Sequence, residues 1–69
     1  MNRTPVSSSY AASVGYDANT TTLEVEHHDG SVYQYFDIPE TVYRELMQAS
    51  SFGAFMHTEI RDQYRYTKV

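Results

Sequence analysis

With 69 residues and a mass of 8.0 kDa the chain holds one domain at most, and a domain of that size buries only about 60% of the surface its unfolded chain exposes. The absence of cysteine excludes disulfides and thiolate zinc sites as staples, and no apolar run approaches the roughly 18 residues of a membrane span. The net charge of −4 conceals an asymmetry: residues 1–60 set Arg3 and Arg44 against eight acids, whereas residues 61–69 set Arg61, Arg65 and Lys68 against Asp62 alone. A phosphate backbone would be repelled by most of the chain and attracted to its last nine residues. Seven Tyr and three Phe argue against disorder. With no charged segment leading into an apolar one, as a secretory signal has, the expected location is the cytoplasm.

Residues 1–9, with Pro5 and three serines, read as a flexible N-terminal arm, and residues 10–69 as the single domain. From Ala12 the pattern has period 2, with Ala12, Val14 and Tyr16 on one face of a strand. Asp17-Ala18-Asn19-Thr20 reads as a turn, in which Asn19 tolerates the left-handed conformation. Leu23, Val25 and His27 alternate with Glu24 and Glu26 in a second, half-buried strand. A four-residue loop places Tyr16 opposite Thr21, Val14 opposite Leu23 and Ala12 opposite Val25. In the next turn a three-residue loop, His28-Asp29-Gly30, places Val25 opposite Tyr33, Leu23 opposite Tyr35 and Glu24 opposite Gln34. A two-residue loop would mix the faces, so the longer loop is expected, with Gly30 at a positive-φ bulge position.

After Phe36 the period becomes 3.6. Pro39 suits a first helical position and Glu40 the first turn. Ile38, Val42, Leu46 and Ala49 form the apolar stripe, flanked by Tyr43 and Met47. Ser50 and Ser51 close this helix and can cap a second, whose apolar face is Phe52, Phe55, Met56 and Ile60. Gly53 in its first turn costs about 1 kcal/mol of propensity, which implies a close approach of two backbones. Residues 64–69 return to period 2. The fold class expected is therefore α+β: a three-stranded antiparallel meander packed against two C-terminal helices, with an extended tail that can add a strand.

Metal and catalytic chemistry have little support. His27 and His28 are adjacent, so on a strand they point to opposite faces, and His57 with Glu59 is not an i, i+4 pair. The serines of the leading segment lack a nucleophile elbow. The reading is no enzyme, no metal and no cofactor. Tyr33-Gln34-Tyr35 and Tyr64-Arg65-Tyr66 share a spacing that, on a strand, sets two rings on one face roughly 7 Å apart. Tyr33 and Tyr35 oppose Val25 and Leu23 and read as core rings with hydroxyls at the rim. Tyr64 and Tyr66 lie among Arg61, Arg65 and Lys68, a basic-aromatic set on which bases can stack and phosphates can be held.

The motifs Val14-Gly15-Tyr16-Asp17, Leu23-Glu24-Val25-Glu26, Gly30 with Val32-Tyr33-Gln34-Tyr35, Ile38-Pro39, Ser51 with Gly53, Ile60-Arg61 and Tyr64-Arg65-Tyr66 occur in that order. Together they resemble the KTSC domain, a short domain also found at the C-terminus of some lysyl-tRNA synthetases. The resemblance runs from about Ser9 to Val69 and implies a small domain suspected of binding nucleic acid, with its closing Tyr-x-Tyr at Tyr64 and Tyr66. Relatives often carry basic residues where this chain has Phe52 and Ala54, and Asn where it has His57. The expected function is a nucleic-acid-interaction module, for RNA or another single-stranded nucleic acid, using Arg61, Tyr64, Arg65, Tyr66 and Lys68. The alternative is a protein-interaction or self-association module, its partner another protein or a second copy of the chain.

Overall fold

Alternation of Leu23 and Val25 with Glu24 and Glu26 sets the middle of the sheet. The structure, a computed structural model, describes residues 1–69. It contains one five-stranded antiparallel sheet in the order β1-β2-β3-β4-β5, with β1 at Thr4–Pro5, β2 at Ser13–Asp17, β3 at Thr22–Glu26, β4 at Val32–Tyr35 and β5 at Tyr66–Lys68. Between β4 and β5 the chain forms α1, Glu40–Gln48, and α2, Phe52–Phe55, which continues into a π-helical turn, Met56–Ile60. Val14, Leu23, Val25 and Tyr35 from the sheet are buried with Ile38, Leu46, Met56 and Ile60 from the helical layer. The architecture is α+β, as expected, and the tail does add a strand. No helix is long and apolar enough to cross a membrane.

The hairpin between β3 and β4 has the expected register, with Val25 opposite Tyr33 and Leu23 opposite Tyr35. His27 N–H donates to the Ser31 carbonyl at 2.8 Å, closing the loop His28–Gly30. Gly30 lies at φ +90°, a conformation that costs a Cβ-bearing residue steric strain. The hairpin between β2 and β3 differs from expectation. Tyr16 lies opposite Leu23 and Val14 opposite Val25, two residues away from the register in which Tyr16 met Thr21. A shift of two keeps every side chain on its face, so hydrophobic alternation does not distinguish the two registers. Thr21, rather than Asn19, takes the positive φ, at +50°, and its carbonyl accepts the Ile38 N–H at 2.9 Å. Ala11 is fully buried and Ala12 only partly, because β2 begins at Ser13 and the chain bends before it.

Residues 1–9 correct the expectation of a flexible arm. Thr4 and Pro5 pair with Val14 and Ser13, and Val6 N–H donates to the Ala12 carbonyl at 3.1 Å. The segment covers an edge that β2 would otherwise leave unpaired, and Pro5 is tolerated because it lies on the outer strand. Two residues are too few to display an alternation. On the face away from the helices, Glu24 accepts from Arg3 at 3.0 Å and from Gln34 at 2.9 Å. Its side chain is only 13% exposed, less open than a wet-face glutamate would be.

The helical layer follows the stripe, with Leu46 buried and Val42 and Tyr43 half-buried. Pro39 is the residue before α1 rather than its first, with ψ at 149°. Ser51 caps α2, its Oγ accepting the Ala54 N–H at 3.2 Å. In the π turn Arg61 N–H donates to the Met56 carbonyl at 2.8 Å, five residues back. Met56 and Ile60 remain in the core. The close approach at Gly53 is to a side chain, not a second backbone: a Cβ there would lie 3.2 Å from Tyr10 Cβ.

Candidate functional site

At the end of the inner sheet face away from α1, the strands carry polar aromatics. His27 follows β3 in the inward register of Leu23 and Val25, and Tyr33 and Tyr35 of β4 lie beside it. Tyr66 pairs with Tyr35 and Lys68 with Tyr33, and residues paired in this way share a face. Tyr10 packs over this end from the segment before β2, and Arg61 reaches it from just beyond the π turn. Tyr10, His27, Tyr33, Tyr35, Arg61 and Tyr66, with Asp29 and Ser31 of the hairpin loop, line an open cleft of about 320 Å³.

The rings make a continuous tilted series. His27 lies 5.1 Å from Tyr10 and 5.3 Å from Tyr33, the latter edge-to-face at 81°. Tyr66 lies 6.0 Å from Tyr33 and 5.4 Å from Tyr35, and is itself 52% exposed. One side of its ring rests on tyrosine while much of the rest faces solvent. Burial, then the neighbouring Tyr10 phenol, pushes the Tyr35 hydroxyl well above the ordinary phenol range. The Ser31 hydroxyl and amide donate to Asp29 Oδ1 at 2.7 and 3.0 Å. They hold the Asp29 carboxyl below the usual carboxylate range, so it stays ionised at neutral pH.

The five residues singled out in the sequence divide. Arg61 and Tyr66 come together in the cleft, with Lys68 on the same face beside Tyr33 and close enough to Asp29 to stabilise its charge. Tyr64 does not join them. Its N–H still donates to the Ile60 carbonyl at 3.2 Å, so the chain is turning there, the period-2 rule does not yet apply, and its ring packs half-buried against the core. Arg65 also lies elsewhere: its guanidinium sits 5.5 Å from the Phe36 ring centroid and 3.4 Å from Asp37. The expected Tyr64–Tyr66 platform is therefore replaced by Tyr66 over Tyr33 and Tyr35.

Sequence reasoning missed Tyr10; Tyr35 is a core ring and Tyr33 packs half-buried against the core, as expected, and both also line the cleft. The available signal was the inward register of His27, Tyr33 and Tyr35 near strand ends, where polar tips reach a rim. His27 and His28 both tether the segment before β2. His27 Nδ1 lies 3.2 Å from the Tyr10 carbonyl and His28 Nε2 lies 2.6 Å from the Ser8 carbonyl. The two imidazoles do not converge on one point, and no three His, Asp or Glu side chains are grouped as metal ligands would be.

A small α+β domain with a single five-stranded sheet and an aromatic cleft at one end is the class these features define. The KTSC domain model matches residues 7–64, and the chain belongs to that family. A crystal structure of a KTSC domain protein from Yersinia pestis superimposes with a TM-score of 0.92 at 36% identity, covering 99% of this chain and 96% of that one. An uncharacterised protein of Stutzerimonas stutzeri is 36% identical over 70 residues, matching 100% of this chain and 99% of its own length. Lysine–tRNA ligases of Nostoc sp. and Trichormus variabilis are 38% and 41% identical over 61 and 54 residues. The chain spans only 11% and 10% of the length of those two ligases, and no catalytic family is indicated by the match.

Proposed function

We propose that the domain is a non-catalytic RNA-binding module that acts in the cytoplasm. A base stacks on Tyr66 at the mouth of the cleft, and Arg61 and Lys68 meet the adjoining phosphates. The observation that carries this reading is the half-exposed Tyr66 ring, backed by Tyr33 and Tyr35, with Arg61 lining the same cleft and Lys68 two residues along β5, in an otherwise acidic chain. Aromatic faces accept any base, and nearby cations add a salt-dependent attraction. The occurrence of a related segment in ligases named for tRNA supports RNA as the ligand class.

Fluorescence titration with labelled tRNA and single-stranded oligonucleotides at two salt concentrations tests the proposal. Binding should weaken with salt, and Tyr66→Ala should lose about 1–3 kcal/mol for the stacked base. Arg61→Ala should weaken binding to all sequences and flatten the salt dependence. Arg65→Ala should do less, since its guanidinium is engaged by Asp37 and Phe36. Circular dichroism accompanies each variant. A folded wild-type protein that binds no RNA at low salt overturns the reading.

A second reading, a protein-interaction or self-association module, rests on a groove of about 230 Å³ at the α1 end of β1, lined by Val6, Leu46, Met47, Ala49 and Phe52. Met47 there is 39% exposed. Sedimentation of the protein alone, with Met47→Lys as the control, distinguishes self-association from the RNA reading.

A further inference from the structure

We infer that the cleft holds a phosphate monoester, bound by Arg61 and the phenols of Tyr10 and Tyr35, so that the domain prefers an RNA end carrying a terminal phosphate over one ending in a hydroxyl. This rests on the RNA-binding reading and names the part of the RNA that enters the cleft. Three of the four arginines have a carboxylate partner: Arg3 with Glu24, Arg44 with Glu40 and Arg65 with Asp37. Arg61, the arginine that lines the cleft, has none. Its side chain donates to His57 Nδ1 at 3.3 Å, which uses one N–H of a guanidinium that has several more. The remaining donors form a fork that suits two oxygens of one phosphate.

Tyrosine hydroxyls supply the other half of the site. Tyr35 is 3% exposed, a ring fixed in the core that also lines the cleft. The Tyr10 phenol lies beside its hydroxyl, and Arg61 is close enough for its charge to act on the same group. Two neighbouring phenols make one bond between them, and the second O–H is left to donate to a ligand. Burial keeps the Tyr35 phenol protonated at neutral pH, so it does not compete as an anion. The carboxylate of the cleft stands apart from these donors. Asp29 is held in the hairpin loop by the Ser31 hydroxyl and amide and is stabilised by the charge of Lys68.

Guanidinium and phenol donors favour a monoester over the diester inside a strand. A monoester carries a charge of about −1.5 to −2 and three acceptor oxygens, enough to engage the fork and an O–H together. A diester has less charge and must lead the chain both in and out of the cleft. At about 320 Å³ the cleft lies at the small end of the roughly 300–1,000 Å³ typical of ligand sites, which suits the last nucleotide of a chain. Tyr66 at the mouth is then left for the base of that nucleotide.

Internally labelled RNA hexamers of one sequence, with a 5′-phosphate, a 3′-phosphate or hydroxyls at both ends, test the inference when titrated into the full chain at low salt. At about pH 7.5 the monoester is mostly a dianion, its second pKa being about 6. A phosphorylated hexamer should bind about tenfold more tightly than the hydroxyl-ended one, the effect of a hydrogen bond to a charged group. Combining Tyr10→Phe with Tyr35→Phe keeps both rings and the protein's charge, and should cut that ratio to about threefold or less. Arg61→Gln, a change at an exposed position, should bring it close to one. Thermal melts accompany each variant. Equal binding of the three hexamers by wild-type protein overturns the inference and leaves the RNA reading standing. A ratio undiminished in folded Arg61→Gln overturns the assignment of the phosphate to this cleft. Failure of every hexamer and of tRNA to bind overturns both readings.

Discussion

The two ends of the inner sheet face are both built of tyrosine, and they behave in opposite ways. At the α1 end Tyr16 stacks on Tyr43 with centroids 4.7 Å apart and planes 9° from parallel. The Tyr16 hydroxyl donates to the Ile38 carbonyl at 2.5 Å. Both rings are half-buried between helix and sheet, and the polar tip of Tyr16 has a protein partner. At the other end Tyr10, His27, Tyr33 and Tyr66 meet at steep angles and leave a cleft between them. The cover there is the short α2 with its π turn, and a π turn inside a helix is a frequent mark of a functional site. A tyrosine whose hydroxyl is already bonded inside the protein serves the fold, whereas an open cluster has chemistry left over for a ligand.

Leu23 offers the largest disturbance of both ends at once. It is fully buried and lies opposite Tyr16 on one side and Tyr35 on the other. Leu23→Ala should cost about 2–4 kcal/mol by opening a cavity between them, read by urea denaturation. Glu24→Ala, which loses the Arg3 and Gln34 contacts on the outer face, should cost about 1 kcal/mol. Equal losses from the two changes would contradict the register.

A smaller effect is confined to the open end. Gly30→Val places a branched residue at φ +90° in the loop that aligns His27 and Asp29, and should cost about 1–3 kcal/mol. Binding should suffer beyond what stability explains, since the cleft rim moves with the loop. Amide exchange should quicken first in β4 and the loop, while the Tyr16 end stays protected.

The smallest pair of changes sharpens the comparison most. Tyr16→Phe deletes the donor to the Ile38 carbonyl and should cost about 1 kcal/mol. Tyr66→Phe deletes a hydroxyl from a half-exposed ring and should stay within about 0.5 kcal/mol of wild type. If thermal melts show the reverse, the closed end is not the structural one.

Much of this architecture was legible in the chain itself. The β3–β4 register followed from the fact that a slip of one residue exposes Val25 and Leu23, a large penalty that a sequence displays. Gly30, Ser51 and the stripe of Ile38, Val42 and Leu46 marked the loop, the cap and the helix for similarly local reasons. The β2–β3 register was not legible, because a slip of two preserves both faces; the loop keeps four residues but moves from 17–20 to 18–21, where the Thr21 carbonyl accepts the Ile38 N–H. The edge strand at Thr4–Pro5 was hidden because its partner is distant in the chain and two residues carry no pattern.

The candidate site divides along the same line. Local alternation placed His27, Tyr33 and Tyr35 on the inner face and Tyr66 in an extended segment, since side-chain direction along a strand depends on nearest neighbours alone. Only the tertiary structure decided that Tyr10 folds over that end, that the π turn delivers Arg61 to it, and that Tyr64 and Arg65 go elsewhere. Those placements depend on where one element ends against another, and packing between segments distant in sequence sets those boundaries, not the periodicity within either of them.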